Sequence, residues 1–279
     1  MTRVRIVLAV VVLLVFSGCT VKSSRPETSN ENSSELQDSL TEITDSTDVA
    51  ADEVIPMAAD ELFDDFFFNF AVNKKLQMSR IKFPLPEVRG DRVDLIQAKE
   101  WKTDYFFMRQ DYYTLLFNNE QQMEVVKDTN IDHVVVEKIY FGTKSVKQYV
   151  FERKQGAWMM QKIEYIPIAS SHNATFLQFY EQFARDMEYQ TAHLCESVTF
   201  VGPDPDDDFS TMEGIITVDT WPAFAPQLPT KMIYNIVYGE PKKETDRKVF
   251  VLRGIANGLE MELVFRRENG EWMLAKMTT

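Results

Sequence analysis

Asp104, Asp111 and Tyr112 are the residues whose types best suit acid–base chemistry, with Tyr105, Tyr113 and Tyr140 as further phenols and Asp132-His133 entering an apolar run. A carboxylate shielded from water can hold or take a proton near neutral pH, and a phenol beside it can donate a hydrogen bond to a developing oxyanion. Lys231, Met232 and Ile233 stand 120 residues after Asp111, Tyr112 and Tyr113. Any such site therefore belongs to one part of the chain only.

Other chemistries find less material. His133, His172 and His193 share no ligand spacing with one another or with Cys195, so no zinc site is expected. Asp204, Asp206 and Asp208 alternate as calcium ligands can, but Phe209 stands where such a loop needs Gly and Ile215 where it needs a bidentate Glu. A solvated acidic loop is the better reading. The chain has no Gly-rich phosphate loop, no G-x-S-x-G and no H-E-x-x-H, and only 10 Gly, so no cofactor is expected. For ligand binding the candidates are Tyr112, Tyr140 and Trp158, or Trp221, Tyr234 and Trp272, aromatics that could line a cavity.

The elements that must position these residues are written twice. F-x-x-F-x-x-x-F-A starts at Phe63 and again at Phe176, and Val150-Phe151-Glu152-Arg153 with Gly156-Ala157-Trp158 recurs as Val264-Phe265-Arg266-Arg267 with Gly270-Glu271-Trp272. Offsets of 113 and 114 residues between these pairs mark a tandem duplication. The aromatic stripes predict an amphipathic helix over 59–79 and a second from about Thr175 to Leu194, with Cys195 at its end. Past each helix lies an irregular middle containing Trp101 or Trp221, and then the period changes to two. Strands are expected over Val134–Val136, Ile139–Phe141, Val146–Arg153 and Trp158–Tyr165, and again over Lys231–Tyr238, Arg247–Ile255, Gly258–Arg266 and Trp272–Met277. Gln155-Gly156 and Asn269-Gly270 mark hairpin turns. The offset grows to 120 between Trp101 and Trp221, and an insertion over 202–208 explains it.

A helix, an irregular middle and a run of antiparallel strands closing on a G-x-W hairpin resembles the nuclear transport factor 2-like fold, an α+β cone in which a curved sheet wraps over helices. The resemblance implies two tandem cones, each an N-terminal amphipathic helix on a curved antiparallel sheet, over 59–168 and 172–279. Cone-fold enzymes such as ketosteroid isomerase and scytalone dehydratase use an Asp or His in the cavity with Tyr as donor. No motif of theirs aligns residue by residue here. As a pair behind a lipidation signal, the chain after residue 58 resembles a family of Gram-negative lipoproteins classed as a domain of unknown function.

That signal occupies residues 1–19. Arg3 and Arg5 precede an apolar run from Ile6 to Phe16, and Ser17-Gly18-Cys19 resembles a lipobox whose Cys becomes the acylated first residue. An ordinary secretory signal with a chance Cys is the alternative. A multiply acylated Cys19 would anchor the protein to a bilayer, at about 0.8 kcal/mol for each buried CH₂. Residues 20–58 are Ser, Thr, Asn, Asp and Glu almost throughout, the composition of a disordered tether. Asp38-Ser39-Leu40 and Asp45-Ser46-Thr47 resemble an O-glycosylation acceptor of exported proteins, plain linker being the alternative. No acidic run directly follows Cys19. The anchor is accordingly expected at the outer membrane, facing the periplasm.

The formal charge of −13 disfavours nucleic acid and anionic lipid heads as partners. With Cys19 acylated, Cys195 has no partner for a disulfide, and burial of a chain that is 44% hydrophobic must supply the stability. These features lead to an envelope lipoprotein acting as a non-catalytic binding or scaffolding module for a small apolar or sugar-like ligand or a protein. An isomerase- or dehydratase-like enzyme in the first cone is the alternative. A third reading is a fused dimer, its two repeats pairing within the chain.

Overall fold

The computed structural model describes residues 60–279, so Cys19, Ser39 and Ser46 lie outside the described residues. Phe63, Phe66, Phe67 and Phe70 recur at three- and four-residue spacing, which winds α1 (Phe63–Val72) with all four rings buried. The helix expected over 59–79 breaks at Asn73. Its side chain accepts from the Leu76 amide at 3.0 Å and starts α2 (Lys74–Arg80) as a separate helix. The middle, expected to be irregular, contains a hairpin of β1 (Leu85–Arg89) and β2 (Arg92–Ile96), turning at Gly90 with φ 59°. β3 (Tyr112–Phe117), β4 (His133–Tyr140), β5 (Ser145–Lys154) and β6 (Ala157–Pro167) complete the first half.

The second half runs through the same order. α3 (Ala174–Phe183) and α4 (Met187–Ala192) separate at Asp186, whose carboxylate caps the amides of Glu188 and Tyr189 at 2.9 and 3.1 Å. Leu194 and Cys195, expected above to lie on the second helix, instead open β7 (Leu194–Asp204), because the helix stops at Ala192, and Cys195 is buried there. β8 (Asp207–Ile216), α5 (Trp221–Phe224), β9 (Met232–Tyr238), β10 (Arg247–Gly254), β11 (Glu260–Glu268) and β12 (Glu271–Thr278) follow. The insertion over 202–208 lengthens a hairpin and does not form a loop of its own: β7 and β8 have 11 and 10 residues where β1 and β2 have 5 each. Gln155-Gly156 and Asn269-Gly270 both turn with φ positive at both residues, the conformation that suits the twist of flanking strands.

Two six-stranded sheets result, in the orders β2-β1-β6-β5-β4-β9 and β3-β10-β11-β12-β7-β8. They are mixed and not antiparallel throughout, because β1 runs parallel to β6 and β7 parallel to β12. Each sheet takes five strands from its own half of the chain and one from the other. β9 extends the first sheet on β4, with Val134 opposite Tyr238, and β3 extends the second on β10, with Val249 opposite Phe117.

Two hydrophobic cores follow from this. The first gathers the α1 rings with Phe151, Trp158 and Ile163, and takes Tyr234, Ile236 and Tyr238 from β9. The second gathers Phe176, Phe179, Phe183, Phe265 and Trp272, and takes Leu116, Ile139 and Phe141 from the first half. The edge-on contacts are duplicated: Phe63 meets Phe151 and Trp158 at 5.3 and 5.0 Å between centroids, and Phe176 meets Phe265 and Trp272 at 5.3 and 5.4 Å. Among the described residues no helix is long and apolar enough to cross a membrane.

Candidate functional site

The alternation of β4 and β5 that fills the first core with Val134, Val136, Tyr149 and Phe151 changes character toward one end. Lys138 and Tyr140 on β4, and Lys147 and Ser145 on β5, continue the core-facing set with polar side chains. Register aligns them into one row across five strands. Tyr234 on β9 lies opposite Lys138, Lys138 opposite Lys147, Lys147 opposite Tyr165 on β6, and Tyr165 beside Arg89 on β1. Tyr140, Lys147, Tyr165, Arg89 and the hydroxyls of Thr143 and Ser145 line an open groove of about 740 Å³.

Beneath the row lies Asp104. Lys138 Nζ donates to its two carboxylate oxygens at 2.8 and 3.0 Å, Tyr149 Oη donates at 2.5 Å, and the Phe106 amide donates at 2.8 Å. The backbone of Asp104 is fixed by Gln77, which donates to its carbonyl at 2.8 Å and accepts from its amide at 3.2 Å. Gln77 also donates to Phe70 O at 3.0 Å and accepts from Trp101 Nε1 at 3.0 Å. Gln190 repeats this with Phe183 O at 2.8 Å and Trp221 Nε1 at 3.0 Å. The Gln–Trp clasp is thus a duplicated brace, and Asp104 is added to one copy of it.

Burial alone would push the Asp104 carboxyl up, but the Lys138 ammonium and the bonds from Lys138, Tyr149 and Phe106 outweigh it and hold the carboxyl below its ordinary value. Burial, with Asp104 alongside, pushes the Tyr149 phenol far above its ordinary range. A carboxylate held this firmly is a weak base, and a phenol so shifted stays a donor. The three groups satisfy one another.

Lys147 differs. Its ammonium has no carboxylate or hydrogen-bond partner among the described residues, and it lies 4.6 Å from the centre of the Tyr149 ring and 5.7 Å from that of Tyr165. Burial pushes its pKa down, Asp104 acting against this and Lys138 with it. Arg89 stacks 3.6 Å over Tyr165 and pairs with Glu87 at 3.2 Å, while Tyr165 Oη donates to Glu87 at 3.2 Å. The groove can therefore seat a negative group on Lys147.

Of the acid–base candidates, only Asp104 meets a phenol, and the phenol is Tyr149. Asp111 is exposed and lines a separate groove of about 500 Å³ with Tyr112, Lys231 and Met232. Trp158, Trp221 and Tyr234 are core residues, 1%, 0% and 3% exposed, so they support cavities without opening into one. Trp272, also packed, forms one wall of a groove of about 430 Å³ with His193 and Arg267. Asp204 spends a carboxylate oxygen on the Asp206 amide at 2.9 Å, in the turn of the β7–β8 hairpin, while the side chain of Asp208 lies outside those described. Among the described residues no group of acids, His or Cys is placed to hold a metal. Sequence reasoning missed Arg89, Lys138, Lys147 and Tyr165. The signal was Lys138-x-Tyr140 and Lys147-x-Tyr149, a cation and a phenol two apart at the ends of facing strands.

Residues 43–279 match the family described as a domain of unknown function, DUF4348. No curated protein matches the chain. Among solved structures, an NTF2-like protein from Bacteroides fragilis is 42% identical with a TM-score of 0.72, covering 79% of this chain and 96% of its own. The fold is of the NTF2-like kind.

Proposed function

The chain belongs to the DUF4348 family, and from that premise we propose that it is a cell-envelope lipoprotein whose two cone domains form a small-molecule binding module without catalysis of its own. In this reading Cys19 is acylated at the outer membrane, residues 20–58 are the tether, and 59–168 and 172–279 are cones fused into one body by exchange of β3 and β9. The observation that carries the binding role is the row above the first core. It places a partly buried ammonium, with no counter-ion among the described residues, between tyrosine rings in an open groove. A fold that needed only stability would not desolvate a cation there with ring faces but no counter-charge among the described residues. The acid–base alternative weakens on the same geometry, because Asp104 is ionised, saturated with donors and spent on Lys138 and Tyr149.

Two measurements test the proposal. Cells making the wild-type protein should hold it in the outer-membrane fraction with a mass increment of several acyl chains, and Cys19→Ser should release it. Native mass spectrometry of envelope-derived protein should show a small-molecule adduct that is lost on Tyr140→Ala. Protein that is unacylated, or that carries no adduct in either form, contradicts the corresponding half of the proposal.

A further inference from the structure

We propose that the groove takes a monoanionic sugar acid, its carboxylate on Lys147 at the edge shared with Arg89 and its ring against Tyr140. This rests on the binding role above and specifies its ligand. The charges of the row decide the class. Asp104 is taken up by Lys138, at 2.8 Å. Glu87 is taken up by Arg89 and by the hydroxyl of Tyr165, both at 3.2 Å. Lys144 at the rim is paired with Glu181. Among the described residues one positive charge, that of Lys147, is left over in the groove, on a chain whose total is −13, so a ligand with one negative charge neutralises it and a dianion overshoots.

Three observations add the rest of the ligand. The Tyr140 hydroxyl has no protein partner among the described residues, and Thr143 and Ser145 share only one bond with each other, at 2.7 Å at the exposed rim. Ligand hydroxyls are the natural complement to such a rim. A volume of about 740 Å³ suits a mono- or disaccharide. The fold itself does not require the row. In the second sheet Leu252 and Met261 stand 114 residues after Lys138 and Lys147, pair with each other in the same way, and are buried in an apolar core. Thr114 occupies the place of Tyr234 beside them. The same architecture closes with apolar residues at those positions, so the cations answer to something other than packing.

Titration calorimetry on the full-length protein in detergent, at low ionic strength, tests the ligand class with glucuronic acid, glucose and inorganic phosphate. Glucuronic acid should bind at least about tenfold more tightly than glucose, the difference that one charge-assisted contact supplies, and phosphate should not displace it. Lys147→Met should lose about tenfold in affinity for glucuronic acid with its thermal midpoint intact, and Lys147→Arg should keep binding, since a charge-assisted contact depends on the cation. If Lys147→Met lowers the midpoint, Lys147→Gln serves in its place. Equal affinity for glucose and glucuronic acid, or an unchanged Lys147→Met, overturns the anionic class and leaves the binding role standing. Displacement by phosphate overturns the sugar-acid assignment. No heat from any of the three, together with envelope-derived protein free of adduct, overturns both.

Discussion

Lys248 is 1% exposed on β10, and its ammonium is held by two amide oxygens, Asn118 Oδ1 at 2.6 Å and Asn173 Oδ1, with no salt bridge among the described residues. Burial pushes its pKa from 10.5 down to about 8, against the pull of Glu244. Between those values the unfolded chain binds a proton that the folded chain has released, so this residue makes stability rise with pH across the window. The gain should approach about 3 kcal/mol by pH 10.5 relative to Lys248→Met, in which the term is absent. Denaturant unfolding of both proteins at pH 7.5 and 10 reads the difference, and parallel behaviour would show that the folded state bears no cost for the ammonium. Asp104 gives a slope of the same sign, but in the acid range. Its lowered carboxyl contributes stability that is present above the unfolded value of 3.8 and lost as pH falls through the folded one. Asp104→Asn strands Lys138, whose side chain is 11% exposed. It should cost about 3 kcal/mol at neutral pH, the usual penalty of a buried charge left unpaired. The same urea titrations at pH 7 check it, and a loss under about 1 kcal/mol would mean that water already reaches Lys138.

Elements of the two halves meet where the exchanged strands lie side by side. β3 and β9 belong to different sheets and have no ladder between them, so side chains supply the bonds. Thr114 Oγ1 donates to Tyr234 O at 2.6 Å and accepts from Tyr234 N at 3.0 Å. Asn235 Oδ1 accepts from Leu116 N at 2.8 Å, and its Nδ2 donates to the buried Glu137 carboxylate at 2.9 Å. Asn235→Leu leaves an amide and a carboxylate oxygen without partners in the dry interior, and should lower stability by about 2 to 4 kcal/mol. Thermal or denaturant unfolding reads the loss, and a change within about 0.5 kcal/mol would mean that this seam is hydrated. The seam also explains what was legible in the sequence. Phe63, Phe66 and Phe70 announced α1 because burial needs a 3.6-residue period, and Asn269-Gly270 announced a turn because positive φ suits those residues. The breaks at Asn73 and Asp186 were hidden inside continuous apolar stripes, since one capping side chain outweighs a pattern without altering it. Lys138 and Lys147 were hidden for a related reason, because a polar residue near a strand end reads as solvated. Alternation along β3 and β9 gives the face that each side chain takes but not the neighbour that each strand finds. The exchange was therefore invisible until the registers were known.

For the whole molecule, exchange means that neither sheet is complete without the other half of the chain. Removing β9 takes Tyr234, Ile236 and Tyr238 out of the first core and uncovers the whole edge of β4 from Val134 to Tyr140. Removing β3 takes Leu116 from the second core and opens the edge of β10. Two repeats joined only by a linker would unfold independently, each with its own midpoint, but two repeats that each hold a strand of the other lose both cores together. Trp158 and Trp272 report on the two cores separately, being packed on Phe63 and Phe176 respectively. In variants that retain one of these tryptophans at a time, with the others replaced by Phe, the two fluorescence transitions in urea should coincide. Far-ultraviolet circular dichroism should follow the same curve, with a slope fitting the surface of the entire described body and not of half of it. A chain ending at residue 170 should fail to form a stable monomer, because β3 would have no partner and β4 an open edge. Two separated transitions, or a folded monomer from that truncation, would mean that each half can recover its own strand and that the exchange contributes little to holding the halves together.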